Sequence, residues 1–469
     1  MATLEFTLDA ADLPLLARWP GVQSSRSFPV EMTWHDTPDG ALAADGLSLV
    51  SAGTIWQLAS LRAEAAAELP RIEAEARRAV LLGRMLPEGI GPIIRLSGRR
   101  QALRWVEDGD AVSLQLLDGR LGANVGVCRV TLDGAPDVVS RLAIALAGGV
   151  GLRVPTASLG ALAVATARGS VTVPRALGAP QVAEGLVVSQ SLAAIAGHLM
   201  DVMLHWAAVV PGTRTPEAVH QMRVATRRLR SAVSVYRRVA ACPELVALTV
   251  PLKLCAARLG TARDWDVFLE GLGARLAETF PDDPRCAAML RAAAKRRRAA
   301  YADLRIFLAG PDFRTLTVAL ACAAALRPWD NQAAPDGLQL DTAAFAADVL
   351  TRRMKHVRQA GRKIESLSIP ALHELRKDCK RLRYAAEFFA SLFPARRTRR
   401  FLTKLSELQE ELGLLNDSAA VSGLMAQLGR MERSYAAGLV EGFSAAHAGP
   451  ARGRIEGAWK RFKAVARFW

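Results

Sequence analysis

Residues 220–232 read HQMRVATRRLRSA, and residues 373–385 read HELRKDCKRLRYA. At an offset of 153 the two stretches share six of thirteen positions: His, Arg, Arg, Leu, Arg and Ala. The same offset lays RLGTARDWD (258–266) on ELGLLNDSA (411–419), matching Leu259-Gly260 with Leu412-Gly413 and Asp264 with Asp417. Two separated blocks that keep one offset identify an internal duplication.

Placed on a helix, the first stretch sorts into two stripes. Met222, Ala225, Leu229, Ala232 and Tyr236 recur at three- and four-residue spacing and form an apolar face for a core. His220, Arg223, Arg227 and Arg230 form a second, cationic stripe with neighbours about one turn apart. The second copy repeats both, with His373, Arg376, Lys380 and Arg383 beside Leu375, Leu382 and Phe389. Like charges one turn apart repel, so such a stripe costs helix stability unless an anion occupies it. An isolated basic stripe is usually a solvated face. A duplication that preserved the charges along with the core argues for a ligand. Guanidinium forks match phosphate oxygens two at a time, whereas an ammonium acts as a point charge.

The charge balance agrees. The 469-residue chain has 61 Lys+Arg against 45 Asp+Glu, a net of +16. Residues 1–184 hold 17 arginines, no lysine and 19 acidic residues, which leaves 44 basic and 26 acidic residues for 185–469. A field confined to one part points to a polyanion: nucleic acid, a phosphate polymer or an anionic membrane. The N-terminus, MATLEFTLDAADL, lacks a basic segment followed by an apolar run, so no signal peptide is expected. No uninterrupted apolar run of about 18 residues occurs, so no transmembrane helix is expected either. The cysteines Cys128, Cys242, Cys255, Cys286, Cys322 and Cys379 lack metal-site spacing and read as buried thiols of a reducing cytoplasm. Neither histidine has Asp, Glu or His partners at ligand spacing, so no metal site is expected there.

Length and pattern divide the chain. Before residue 173, β-compatible runs at 48–59, 102–134 and 170–173 are punctuated by Asp118-Gly119 and Asp133-Gly134, with helical patterns near 10–19, 60–85 and 135–147. This predicts a multidomain protein with an α+β N-terminal part built on an antiparallel sheet or β-barrel. Beyond residue 188, strand signals vanish and the three- and four-residue apolar spacing takes over. The expected units are 1–172, a linker at 173–187, a first helical repeat at 188–335 and a second at 336–469.

The blocks H-x-x-R-x-x-x-[RK]-R-L-R, with L-G-x-x-R-D-x-D-V at 259–267 and L-G-x-L-N-D at 412–417, resemble the CHAD (conserved-histidine α-helical) domain. The resemblance spans about 188–469 and includes the AWKRFKAVARFW ending. It implies an all-α fold of two pseudo-symmetric four-helix bundles and a basic pore or groove that binds inorganic polyphosphate, often at cytoplasmic polyphosphate granules. By position, the anion contacts would be His220, Arg223, Arg227, Arg230, His373, Arg376, Lys380 and Arg383, with Arg228, Arg381 and Lys253 as weaker candidates.

The N-terminal part resembles a CYTH domain, a triphosphate tunnel, through WHDTPDGALAADGLSL (34–49) and IRLSGRRQALRW (94–105). The catalytic pattern is missing. The family's opening E-x-E-x-K falls on Met1, Thr3 and Glu5; its paired arginines fall on Val50 and Ala52, and its later E-x-E on Cys128 and Val130. Metal-assisted phosphoryl transfer needs carboxylates for the ion and cations for the substrate. The expectation is therefore a non-enzymatic polyphosphate binder without cofactor, with Arg95, Arg99 and Arg100 as the tunnel domain's remaining candidate phosphate contacts. Nucleic-acid binding is disfavoured because the basic stripes lack interleaved aromatics for stacking bases. It stands as one alternative reading, and a metal-dependent triphosphatase or polyphosphatase as another. No membrane partner is expected, and the oligomeric state is not legible.

Overall fold

A computed structural model describes residues 1–61, 72–75, 80–81, 84–213, 215–331, 337–429, 434–448 and 451–469; the side chains of 72–85, 414–420, 444–448 and 451 lie outside that description. The N-terminal part is an antiparallel sheet. Its strands are β1 (Ala2–Thr7), β2 (Val22–Asp36), β3 (Leu47–Ala52), β4 (Ile55–Ser60), β5 (Ile72–Glu75), β8 (Gly91–Glu107), β9 (Asp110–Leu121) and β10 (Val125–Gly134), with a two-strand ribbon of β6 (Val80–Leu81) and β7 (Arg84–Met85) beside it. The sheet order is β1-β10-β9-β8-β2-β3-β4-β5. The two end strands are not paired with each other, so the expected barrel is an open half-barrel that fits a CYTH-like tunnel fold.

Alternation along the strands sends side chains to two faces. On one face Leu114, Val130 and Leu132 pack on α3 (Pro136–Gly149). On the other, Trp34, Val50, Leu96, Leu117, Leu121 and Val127 pack on Ala163 of α4 (Leu159–Ala167). Two short helices, α1 (Leu13–Ala17) and α2 (Ala41–Ala44), complete this part. The WHDTP segment makes the start of α2, where the buried Asp36 carboxylate accepts from the backbone N–H of Leu42 at 2.9 Å and Ala43 at 3.3 Å.

Three expectations fail here. Asp118-Gly119 is not a turn but lies inside β9, where Gly119 faces Gly98 of β8. A methyl group on Gly98 would come within 2.3 Å of the Asp118 carbonyl, so this glycine pair serves close strand approach. The hairpin turn is instead made by Asp108 and Gly109, both at positive φ. The run SVTV (170–173) is not a strand: Val171 and Val173 are 90% and 80% exposed and pair with no strand among the described residues. In the helical pattern near 60–85, the described residues 72–75, 80–81 and 84–85 are strands, because pairing with β4 and within the ribbon overrides local helix preference; 62–71, 76–79 and 82–83 lie outside the described residues. Short helix α4 had no clear sequence signal, its composition being apolar all round.

The helical part follows the duplication. The first copy runs α5 (Val188–Val209), α6 (Glu217–Tyr236), α7 (Pro243–Ala247), α8 (Thr249–Phe268), α9 (Ala274–Thr279) and α10 (Pro284–Ala309), and α11 (Pro311–Leu326) packs on it. The second copy runs α12 (Thr342–Ala360), α13 (Ile369–Phe388), α14 (Ala395–Ala426), α15 (Tyr435–Ala448) and α16 (Ala451–Lys463). Shifted by 153, α5 falls on α12, α6 on α13, α8 on α14, and α10 on α15 with α16. Each copy is thus a four-helix unit, and α6 packs against α13 where the units meet.

The two parts of the chain share one continuous apolar core, reaching from Leu4 to Phe468. By length and composition, Val188–Gly212 and Pro243–Thr279 could each cross a membrane, a property that a search for uninterrupted apolar runs does not register. In this fold the apolar side of α5 is engaged in the bundle, with Leu192, Ile195, Leu199, Met200 and Met203 at most 1% exposed. All six cysteines are buried and free, as expected.

Candidate functional site

The apolar stripes behave as periodicity requires. Met222, Ala225, Leu229, Ala232 and Tyr236 are at most 1% exposed, and Leu375, Leu382 and Phe389 are fully buried. That anchoring turns His220, Arg223 and Arg227 to the half-buried edge of α6, and His373, Arg376, Lys380 and Arg383 to the same edge of α13. Arg230 is exposed at the end of its stripe.

The Leu-Gly pair of each copy supplies the surface under an arginine. Leu259 and Leu412 are buried, and the glycine after each leaves its helix without a side chain. A methyl group on Gly260 would stand 2.9 Å from Nη1 of Arg223, and one on Gly413 would stand 3.2 Å from Nη2 of Arg376. The guanidinium therefore lies close over the neighbouring helix in both copies. The sequence preserved these glycines, but their role was visible only when α8 and α14 were packed on α6 and α13.

Around Arg223 the field is mixed. Asp264 Oδ1 is 3.8 Å from Arg223 Nη2, and Arg263 acts on both Arg223 and His220 while pairing with Glu270 at 3.6 Å. Burial, reinforced by Arg263, holds the His220 imidazole below its ordinary pKa, so the free protein carries this ring neutral at pH 7. An arriving polyanion would oppose that and favour the imidazolium. Arg263 was overlooked as a site residue, although it is the arginine of the L-G-x-x-R-D block. The contacts of residue 223 with 260 and 220 with 263 show α6 and α8 antiparallel. Lys253, exposed and two turns before Gly260, then lies level with Arg230, two turns beyond Arg223.

The stripes meet where α6 crosses α13. The Arg227 guanidinium lies 5.5 Å from the ring centre of Tyr384 on α13. Arg228 donates to Glu387 Oε2 from Nε at 3.1 Å and Nη2 at 2.7 Å, with the two side chains only 14% and 11% exposed. Arg383 donates to the other carboxylate oxygen of Glu387 at 2.8 Å and faces Gln409 Oε1 at 3.5 Å. Tyr384 is equivalent to Ser231, and Glu387 to Ser234. Arg227 and Arg228 thus meet the counterparts of residues four and six positions further along their own helix.

The structure packs the two striped helices together, and it ties two of the weaker candidates, Arg228 and Arg381, to carboxylates. Arg228 ties α6 to α13 through Glu387. The Arg381 side chain pairs with Asp378 on its own helix at 2.8 Å, and its carbonyl accepts from Arg353 at 2.6 Å. In the N-terminal part, Arg95 pairs with Glu31 at 3.8 Å with both side chains more than 60% exposed, Arg99 donates to Ser27 at 3.0 Å, and Arg100 is half-buried. Among the described residues, no three His, Cys, Asp or Glu side chains are grouped to hold a metal ion.

Comparison with known proteins places the helical part. Residues 193–426 match the CHAD domain family. The crystal structure of the CHAD domain from the plant Ricinus communis is similar, with a TM-score of 0.54 and 27% identity over 64% of this chain and 99% of that one. PptA from Streptomyces chartreusis aligns over 59% of this chain and 100% of its own, at 16% identity and a TM-score of 0.45. No curated protein matches the chain in sequence. With the duplicated helical units, the family match and the likeness to the Ricinus communis structure identify residues 193–426 as a CHAD domain.

Proposed function

We propose that this protein binds inorganic polyphosphate, without cleaving it, along the paired stripes of α6 and α13. The observation that carries this reading is that the two helices with half-buried cationic stripes, α6 and α13, pack on each other, with Arg227 of α6 lying 5.5 Å from the Tyr384 ring of α13. Half-buried guanidinium groups face less competition from water, so each phosphate they meet is held more firmly than at an exposed surface. A polymer that spans both stripes turns later contacts into intramolecular ones. The Tyr384 ring at the crossing is engaged by the Arg227 guanidinium and so is not a free stacking platform for bases.

The N-terminal part supports the non-enzymatic side of the reading. Val50, at a position where the tunnel family has a cation, lies in the apolar cluster under α4. Glu5 pairs with Arg129 at 3.9 Å in a buried contact, and burial pushes the Cys128 thiol up to about 12. Arg129 is thus buried against a carboxylate and is not open to a triphosphate. On this reading the protein acts in the cytoplasm, at polyphosphate granules.

The test is a titration of long-chain polyphosphate onto the wild type and the Arg223→Ala/Arg227→Ala/Arg376→Ala/Lys380→Ala variant at graded salt. Each lost contact to a charged group is worth about 1.5–3 kcal/mol, so affinity should fall by at least about 100-fold. The salt slope should flatten by about 3, at roughly 0.7 for each phosphate contact removed. Unchanged affinity in a variant with native helicity would refute the site. Equal competition by single-stranded DNA, or metal-dependent release of phosphate, would refute the ligand or the absence of catalysis.

A further inference from the structure

A groove of about 980 Å³ lies on the opposite kind of surface from the cationic stripes. Its walls come from both parts of the chain: α3 from the N-terminal part, and α7, the start of α8 and α11 from the helical part. Along α11 the lining residues run from Asp312 to Leu326 at three- and four-residue spacing, an entire helix face. At about 1.5 Å per residue that face is about 21 Å long. Ala319 and Ala323 keep its floor low, while Val250 on the α8 wall is 74% exposed and Leu254 37%. An elongated apolar trough with small residues in its floor admits a helix, whereas a compact ligand would leave most of it wet.

The charge at this groove reverses that of the molecule. On a chain of net charge +16, it is lined by Asp137, Glu244 and Asp312. Among the described residues its one cation, Arg141, is held by Asp110 and Asp137. A phosphate polymer is repelled here, and an apolar stripe flanked by positive charge is complementary.

We propose that the trough between α3, α7, α8 and α11 docks a cationic amphipathic helix of a partner protein. The site exists only where the two parts of the chain are packed together, which gives the half-barrel a role in recruitment.

The probe is a fluorescein-labelled 18-residue peptide with leucines at i, i+3, i+4 and i+7 and lysines on the flanks, with a glutamate-for-lysine peptide as control. Anisotropy with the full chain should show saturable binding of the lysine peptide and at least tenfold weaker binding of the control. Ala319→Trp, which fills the floor, should weaken the lysine peptide at least tenfold and leave polyphosphate affinity unchanged. Glu244→Lys/Asp312→Lys is the second variant, expected to do the same and to serve where Ala319→Trp does not fold. Equal binding of both peptides, binding of neither, or indifference to both variants overturns the proposal. Light scattering that shows a dimer abolished by Ala319→Trp also overturns it, by making a second copy the occupant.

Discussion

The first helical copy and the second carry the same stripe but fasten it differently. In the first, Arg223 lies over Gly260 beside Asp264, and Arg228, next to the stripe, pairs with Glu387 of the other copy. In the second, Arg376 lies over Gly413, and Arg383 is held by Glu387. The counterpart of Glu387 is the exposed Ser234, and the counterpart of the buried Asp201 on α5 is Met354, fully buried on α12. What both copies turn toward the crossing stayed alike. What they turn toward different neighbours diverged, because only the first copy meets Arg175 of the linker, 4.0 Å from Asp201.

The largest effect should come from breaking that asymmetry at Glu387. Glu387→Ala leaves Arg228 and Arg383 without their shared carboxylate at a nearly buried site and should destabilise the fold by about 3 kcal/mol in urea titration. Ser234→Ala, at the equivalent exposed position, should change stability by less than about 0.5 kcal/mol. Equal effects would mean that Glu387 is not the tie between the copies.

A second, pH-dependent effect should separate α5 from α12. Burial pushes the Asp201 carboxyl up to about 7 against the pull of Arg175. The folded state therefore holds this proton more tightly than the unfolded state does, so the contribution is complete below about pH 4 and is lost as pH rises toward 7. Thermal melts should show the wild type losing stability across that window relative to Asp201→Asn, with a constant difference above it. Parallel pH profiles would remove Asp201 from the joint between the two parts.

The smallest effect should sharpen the likeness of the copies. Gly260→Ala and Gly413→Ala each favour their helix by up to about 1 kcal/mol, so stability should hold or rise. The added methyl displaces Arg223 or Arg376, and polyphosphate affinity should fall a few-fold, more for Gly260 because its arginine is nearer. Affinity unchanged in both would mean that the arginines do not need these glycines beneath them.

Much of this architecture was legible because helical periodicity is local. Residues 222, 225, 229, 232 and 236 had to share a face wherever the helix was placed, and all are buried. The cationic stripe followed from the same geometry, and the duplication tied it to a purpose. The misreadings fell where contacts are long-range. Asp118-Gly119 has the composition of a turn, yet a second glycine opposite it made it a site of close strand approach. Arg228 stood within the cationic block, yet a carboxylate 159 residues away claims it.

Sequence alone determined that the chain is duplicated and that each copy presents an apolar and a cationic helix face. These follow from residue identity and from the turn of a helix, which need no knowledge of the rest of the chain. Tertiary structure decided which arginines stay in the stripe and which become struts, that α4 covers one face of the open sheet, and that an acidic apolar trough forms between the parts. Each of these depends on which surfaces meet, and that is set by burying the common core rather than by any local spacing.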